Sequence, residues 1–114
     1  MFKKLQIDWL VLMANLYIQQ EKFTKALCLL EAAQLQAPER ADINKALAFT
    51  LLELGEGQRC LDVLKRLRDQ PFSKGEKASL LLLQSRALWS CGDHDKAQQA
   101  IKARIAMLAP ESSG

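Results

Sequence analysis

Turn-forming and aromatic residues are scarce in this sequence, and their scarcity limits its fold class. The 114 residues include five Gly and three Pro, and aromatic residues make up 6% of the chain. The apolar content, 49% of the residues, consists mostly of Leu and Ala, which are strong helix formers. The composition therefore predicts an all-α protein. Its length suits one domain, residues 1–114, which can bury a core without disulfides or metals.

Long apolar runs and a strong charge are also absent. The longest apolar run, Trp9 to Ala14, is far shorter than the roughly 18 residues of a membrane span. The opening MFKKL is similar to the charged start of a signal peptide, but Gln6 and Asp8 interrupt the apolar stretch. The net charge of +3 is too mild for a nucleic-acid surface. We expect a soluble, cytoplasmic protein that neither binds nucleic acid nor inserts into membranes.

Cysteine and histidine are too few for a recognisable catalytic or metal site. Cys28, Cys60 and Cys91 form no CxxC pair, and an odd count fits neither a disulfide framework nor a zinc site. The single histidine, His94, could act as a base for Cys91, but it fits better as a residue that fills an aromatic packing position. We expect no enzyme activity, no cofactor, no metal, and cysteines that act as small buried apolar residues.

An internal repeat organises the chain. Residues 7–40 and 41–74 form consecutive 34-residue units, and a third unit covers 78–111 after a short insertion around 71–77. Each unit contains two segments with helical apolar spacing, separated by a short turn. The pattern predicts three antiparallel helix pairs, near residues 6–20, 23–36, 41–54, 57–69, 75–91 and 94–108.

A small side chain recurs at the same place in every unit, as Ala26, Cys60 and Ala97. A lone amphipathic helix could carry Leu there equally well, so the small residue indicates that the two helices of a unit cross closely. Ala14 is the predicted counterpart of Ala26 across this contact. Since packed helices lie about 8 to 10 Å apart, a larger side chain would force the pair open.

The repeated unit resembles the tetratricopeptide repeat. In the first unit, the family's characteristic positions are occupied by Leu10, Met13, Ala14, Tyr17, Phe23, Ala26, Leu30, Ala33 and Pro38. The later units match less closely, since Gly57 leaves an aromatic position empty and Arg104 replaces a small residue. The resemblance implies three tandem tetratricopeptide-like helix pairs that form a short right-handed superhelix with a concave groove.

The first helix of each pair usually lines the concave surface of a repeat array, where partners bind. Positions 2, 5, 9 and 12 of the three units form an apolar stripe with a few polar residues. We expect it to bind a helical or extended segment of a protein, unless it is core or is covered by the chain itself or by a second copy. The predicted partner-binding residues are Val11, Asn15, Ile18, Lys45, Phe49, Leu52, Leu82, Arg86 and Trp89.

The short length and degenerate third unit resemble the specialised tetratricopeptide chaperones of bacterial type III secretion systems. The stretch SRALWSCGDHDKAQQAI is most similar to the YscY type, whose partner is a small export substrate of the YscX type. This resemblance implies a bacterial cytoplasmic chaperone that forms a heterodimer with a YscX-like secreted client, with a homodimer as an alternative.

Two other functions stay open at this point. The larger chaperones of translocator proteins are also similar, but they usually carry an additional N-terminal dimerisation segment. A generic adaptor that binds the charged C-terminus of a partner would need a basic clamp, for which only Lys45 and Arg86 are available.

Overall fold

The computed structural model describes residues 2–109 and consists of helices joined by short turns. The helices are α1 (Phe2–Gln19), α2 (Phe23–Gln36), α3 (Ala41–Glu53), α4 (Gly57–Leu67), α5 (Lys74–Ser90) and α6 (His94–Leu108). No β-strand occurs within residues 2–109, so the prediction of an all-α fold is confirmed. Residue 1 of the predicted domain and residues 110–114, which include the end of the third unit, lie outside the described part.

Two helix bounds differ from the prediction by more than one residue. α1 begins at Phe2 instead of residue 6, because the helical apolar spacing of Trp9 continues back to Leu5. α4 ends at Leu67 instead of residue 69. Pro71 follows shortly after, and the residue before a proline is biased away from the helical conformation.

The helices form three consecutive pairs. α1 packs on α2, α3 on α4 and α5 on α6, and the short turn within each pair makes its helices antiparallel. α3 also packs on α2, and α5 on α4, so each pair rests on the one before it. The first helices α1, α3 and α5 contact one another in that order and form one face of the array, which we call the inner face.

The turn within each pair has the same geometry. Glu21, Gly55 and Gly92 lie between the paired helices and have positive φ angles of 59°, 80° and 85°. The N–H of the next residue then donates to a carbonyl five positions earlier, at 2.8 to 2.9 Å in all three turns, as in the Schellman motif. Glycine adopts this conformation without steric cost, so Glu21 is the one residue of the three that adopts it against a steric penalty.

Small residues meet where the helices of each pair cross. Ala14 and Ala26 are both fully buried in the first pair. In the third pair, the Ser85 hydroxyl donates to the carbonyl oxygen of Ala97 at 2.9 Å, so the backbone of α6 lies within reach of a serine side chain on α5. Both observations agree with the close crossing that the recurrence of small residues predicts.

The core extends along the array instead of surrounding one centre. One cluster lies around the second pair and consists of Ala14, Leu30, Leu47, Ala48, Leu51, Cys60, Val63 and Ala87. The other joins the first pair to the start of α3 and consists of Ile7, Val11, Ala33 and Ile43. Each cluster contains residues from neighbouring pairs, so the pairs stabilise one another through nearest-neighbour contacts.

We predict that Ala26→Leu lowers the free energy of unfolding by about 1 to 3 kcal/mol, because the added side chain overpacks the α1–α2 crossing. Ala41→Leu should have a smaller effect, since Ala41 is only partly buried at the start of α3. Urea unfolding followed by circular dichroism measures both variants. Equal losses of stability would contradict the assignment of Ala26 to a close crossing.

Candidate functional site

The inner face places most of the predicted partner-binding residues on one side of the array. Leu82 and Trp89 on α5 are 39% and 56% exposed, and the polar Asn15 and Arg86 are also exposed. The remaining ones on this side are partly buried, namely Ile18, Lys45, Phe49 and Leu52. The accessible apolar part of the predicted surface is therefore concentrated on α5, the first helix of the third pair.

Val11 requires a correction. It is 8% exposed and belongs to the core cluster that joins the first pair to α3, where Ala33 and Ile43 are its neighbours. Position 5 of the first unit therefore points into the array, and Val11 offers almost no surface to a partner.

Phe49 and Trp89, the two aromatic residues of the predicted binding surface, make contacts within the chain. The ring of Phe49 packs edge-on against Phe23 at the start of α2, with 6.2 Å between ring centroids. Trp89 stacks on His94 at the start of α6, with 4.0 Å between centroids. His94 thus fills an aromatic packing position, and Trp89 keeps its other ring face accessible.

Ion pairs join neighbouring first helices across the inner face. Lys45 on α3 contacts Glu76 on α5 at 3.1 Å and lowers the pKa of the Glu76 carboxyl. Arg86 on α5 contacts Glu53 on α3 at 3.0 Å. The two residues available for a basic clamp are therefore already engaged by carboxylates, which disfavours capture of a C-terminal carboxylate.

Arg40 makes a similar connection between the first two pairs. Its guanidinium contacts Asp8 of α1 and Asp42 of α3, both at 2.7 Å, and it holds the pKa of the Asp42 carboxyl below its usual value. Exposed pairs of this kind contribute little stability individually. They connect α1 to the start of α3.

An exposed apolar stripe on α1 was missed in the sequence. Leu5, Trp9, Leu12 and Leu16 are 44% to 68% exposed and follow one another at intervals of four, three and four residues. This is the spacing of a coiled-coil seam, a signal that could have identified the stripe. We call these four residues the α1 stripe.

The repeat explains why the α1 stripe is apolar. Its last three residues occupy unit positions 3, 6 and 10, which in α3 are Ile43, Ala46 and Thr50. α3 packs on α2, and there Ile43 and Thr50 are fully buried. No helix among residues 2–109 covers the corresponding face of α1.

A groove on the opposite side of the array was also missed, because it arises only when three helices pack together. α4 and α6 form its walls and α5 its floor, and its volume is about 920 Å³. Leu81 and Leu88 line the floor, and Leu64 and Met107 line the walls. We call it the outer groove.

A comparison with known families identifies the repeat. The profile of the tetratricopeptide repeat family matches residues 17–76. This range includes the turn between α1 and α2, all of α2 and the whole α3–α4 pair. The chain belongs to the tetratricopeptide repeat family. No curated protein matches the sequence.

Family membership indicates the kind of function. Tetratricopeptide repeats are generally non-catalytic modules for protein interaction, and their helix pairs present surfaces to protein partners. No cluster of His, Cys, Asp and Glu suited to a metal ion occurs among the described residues. Within the same part of the chain, no helix is both long and apolar enough to cross a membrane.

The cysteines differ in environment, which corrects the expectation that all three are buried. Cys60 is buried, and burial raises the pKa of its thiol to about 11. Cys28 and Cys91 are exposed. The difference follows from unit position, since only Cys60 occupies the crossing position.

We predict that iodoacetamide at neutral pH modifies Cys28 and Cys91 but leaves Cys60 unmodified until the chain is unfolded, because alkylation requires an accessible thiolate. Mass spectrometry of peptides after timed labelling measures the three rates. Labelling in urea is the control that shows Cys60 can react. Equal rates for Cys60 and Cys28 in the folded protein would contradict the packing at the α3–α4 crossing.

Proposed function

We propose that this tetratricopeptide repeat protein is a chaperone that binds an apolar helical segment of a client protein. The observation that supports the proposal most strongly is the α1 stripe, where large exposed apolar side chains occupy positions that are buried or partly buried in α3 and α5. Monomeric proteins seldom leave such a contiguous patch in water. A client helix that covers it would supply the contact that α2 supplies to α3.

The inner face extends the proposed binding surface. Trp89 and Leu82 on α5 are its accessible apolar residues, and Asn15, Ile18, Lys45, Phe49, Leu52 and Arg86 surround them as secondary contacts. A client segment that covers the α1 stripe and then crosses the inner face would engage both surfaces. Such binding would stabilise the chaperone and the client together by mass action.

The finer proposal is a chaperone of a bacterial type III secretion system. It rests on the resemblance to the YscY type, and it names a small export substrate of the YscX type as the client. The chaperone would keep the apolar segment of that substrate covered in the bacterial cytoplasm until export. A translocator-type chaperone is the second candidate within the same class of system.

The ion pairs on the inner face favour a chaperone over a carboxylate-clamp adaptor. Such a clamp needs free cations, whereas Lys45 and Arg86 are paired with Glu76 and Glu53. An apolar client segment needs no free cation. The proposed client therefore binds chiefly through apolar contacts.

We predict that Leu12→Asp abolishes formation of a complex with the YscX-type protein of the same organism. Leu12 is 68% exposed, so the substitution should leave the fold intact while placing a charge in the apolar contact. Ile105→Asp is the matched control, because Ile105 on α6 is 60% exposed and lies at the other end of the array. Co-expression, co-purification and light scattering measure the complex.

The outcomes separate the alternatives. A one-to-one complex lost only in Leu12→Asp supports the proposal. If neither variant affects complex formation, the α1 stripe is not the client site. If the chain alone forms a dimer that Leu12→Asp dissociates, the stripe binds a second copy, and the client proposal loses its main support.

A second prediction concerns Trp89. Truncating an interface anchor typically costs about 2 to 4 kcal/mol of binding free energy, so Trp89→Ala should weaken client binding by at least about thirtyfold. Helicity should stay nearly unchanged, since only the stacking on His94 is lost within the chain. Calorimetry measures the affinity and circular dichroism the helicity. Unfolding of the variant with unchanged affinity of its folded fraction would assign Trp89 to the core.

A further inference from the structure

The outer groove differs from the α1 stripe and the inner face in its charge. Its floor and walls are mostly apolar, with glutamines such as Gln84 among the leucines. Lys65, Arg68, Lys77 and Lys96 also line it, and Asp93 is the one carboxylate among the lining residues. Lys65 on α4 and Arg68 just after α4 are exposed at the rim. The groove therefore combines an apolar floor with a basic rim.

We call the spaces between consecutive second helices intervals: the first lies between α2 and α4, and the second between α4 and α6. The repeat shows that the basic charge is specific to the second interval. Between α2 and α4, unit positions 25 and 19 hold Glu31 and Arg59, whose side chains contact each other at 3.5 Å. The same two positions between α4 and α6 hold Lys65 and Lys96. An attractive pair in the first interval is replaced by two like charges in the second, and like charges repel.

The basic rim has little compensation within the chain. Lys96 contacts Asp93 at 3.7 Å, and no carboxylate among residues 2–109 pairs with Lys65, Arg68 or Lys77. An acidic group placed between Lys65 and Lys96 would restore the attraction that Glu31 and Arg59 provide in the first interval. The groove thus combines basic side chains that lack carboxylate partners among residues 2–109 with an apolar floor.

We propose that the outer groove binds an amphipathic helix of a partner protein that carries carboxylates beside its apolar stripe. Its apolar residues would lie on the α5 floor between α4 and α6, the helix-in-groove mode of recognition. Its carboxylates would contact Lys65 and Lys96 across the rim, as charge complementarity requires. This binding is independent of the client that the α1 stripe is proposed to hold.

The charge of the groove selects against a second copy of this chain as the occupant. The exposed apolar helix that a second copy offers is α1, which carries Lys3 and Lys4 near its start. Its only acidic residue, Asp8, is engaged by Arg40. Insertion of α1 into the groove would therefore bring basic residues against a basic rim.

The test uses a synthetic helical peptide with Leu at i, i+3, i+4 and i+7 and Glu at the flanking positions. Fluorescence anisotropy measures its binding to the full chain. Lys65→Glu should weaken binding by about tenfold or more, because it removes one attractive partner and pairs Lys96 within the chain. Lys102→Glu is the matched control, since Lys102 is exposed on α6 but does not line the groove.

Three results would overturn the proposal. The first is equal weakening by both substitutions, which would indicate a general charge effect. The second is equal binding of an acidic peptide whose Leu residues are replaced by Ala, which would indicate a polyanion site without apolar recognition. The third is self-association of the chain that Lys65→Glu dissociates, which would make a second copy the occupant.

Leu12→Asp separates this proposal from the chaperone function. It should abolish capture of the YscX-type client and leave binding of the acidic peptide unchanged, while Lys65→Glu should have the opposite effects. Loss of peptide binding in Leu12→Asp would place the peptide on the α1 stripe and refute the outer groove as its site.

Discussion

The close crossing of two helices in each pair is the constraint on which the rest of the structure depends. Each crossing requires small residues on both helices, and the array supplies them as Ala14 with Ala26, Ala48 with Cys60, and Ser85 with Ala97. Close crossing leaves the larger apolar residues of each pair to pack against the neighbouring pair. Stability therefore depends on contacts between adjacent pairs as well as on those within each pair. On α1, the face without a neighbouring pair is apolar and exposed.

The α1 stripe is the clearest consequence of this arrangement. In α3 the corresponding face is buried against α2, so apolar residues there serve folding. In α1 no helix within residues 2–109 covers the same positions, and residues as large as Trp9 and Leu12 occupy them. The α1 stripe has the same apolar character as the face of α3 that packs on α2, so it is suited to a helix from another protein. It therefore supports a binding function better than the inner face, where several residues already contact other parts of the chain.

The sequence predicted the helices well because the 34-residue period and the small crossing residues are local signals. It failed where a side chain meets a residue distant in the chain. Lys45 and Arg86 find carboxylates 31 and 33 residues away, and Val11 is buried by the neighbouring pair. Gly57 looked like an empty aromatic position, yet an added Cβ there would meet the side chains of Ser90 and Cys91. Such contacts depend on how neighbouring pairs pack together, and a sequence pattern within one unit does not determine that packing.

The two intervals between second helices show how a repeat array acquires distinct surfaces without changing its fold. Glu31 and Arg59 form an ion pair in the first interval, and Lys65 and Lys96 occupy the same unit positions in the second, so an opposite-charge pair gives way to two like charges. Within residues 2–109, an ion pair connects α2 to α4, whereas α4 and α6 are joined only through α5. Because the apolar floor lies directly beneath those lysines, charge and apolar recognition coincide at one place. That coincidence distinguishes the last interval as a surface for an acidic helix.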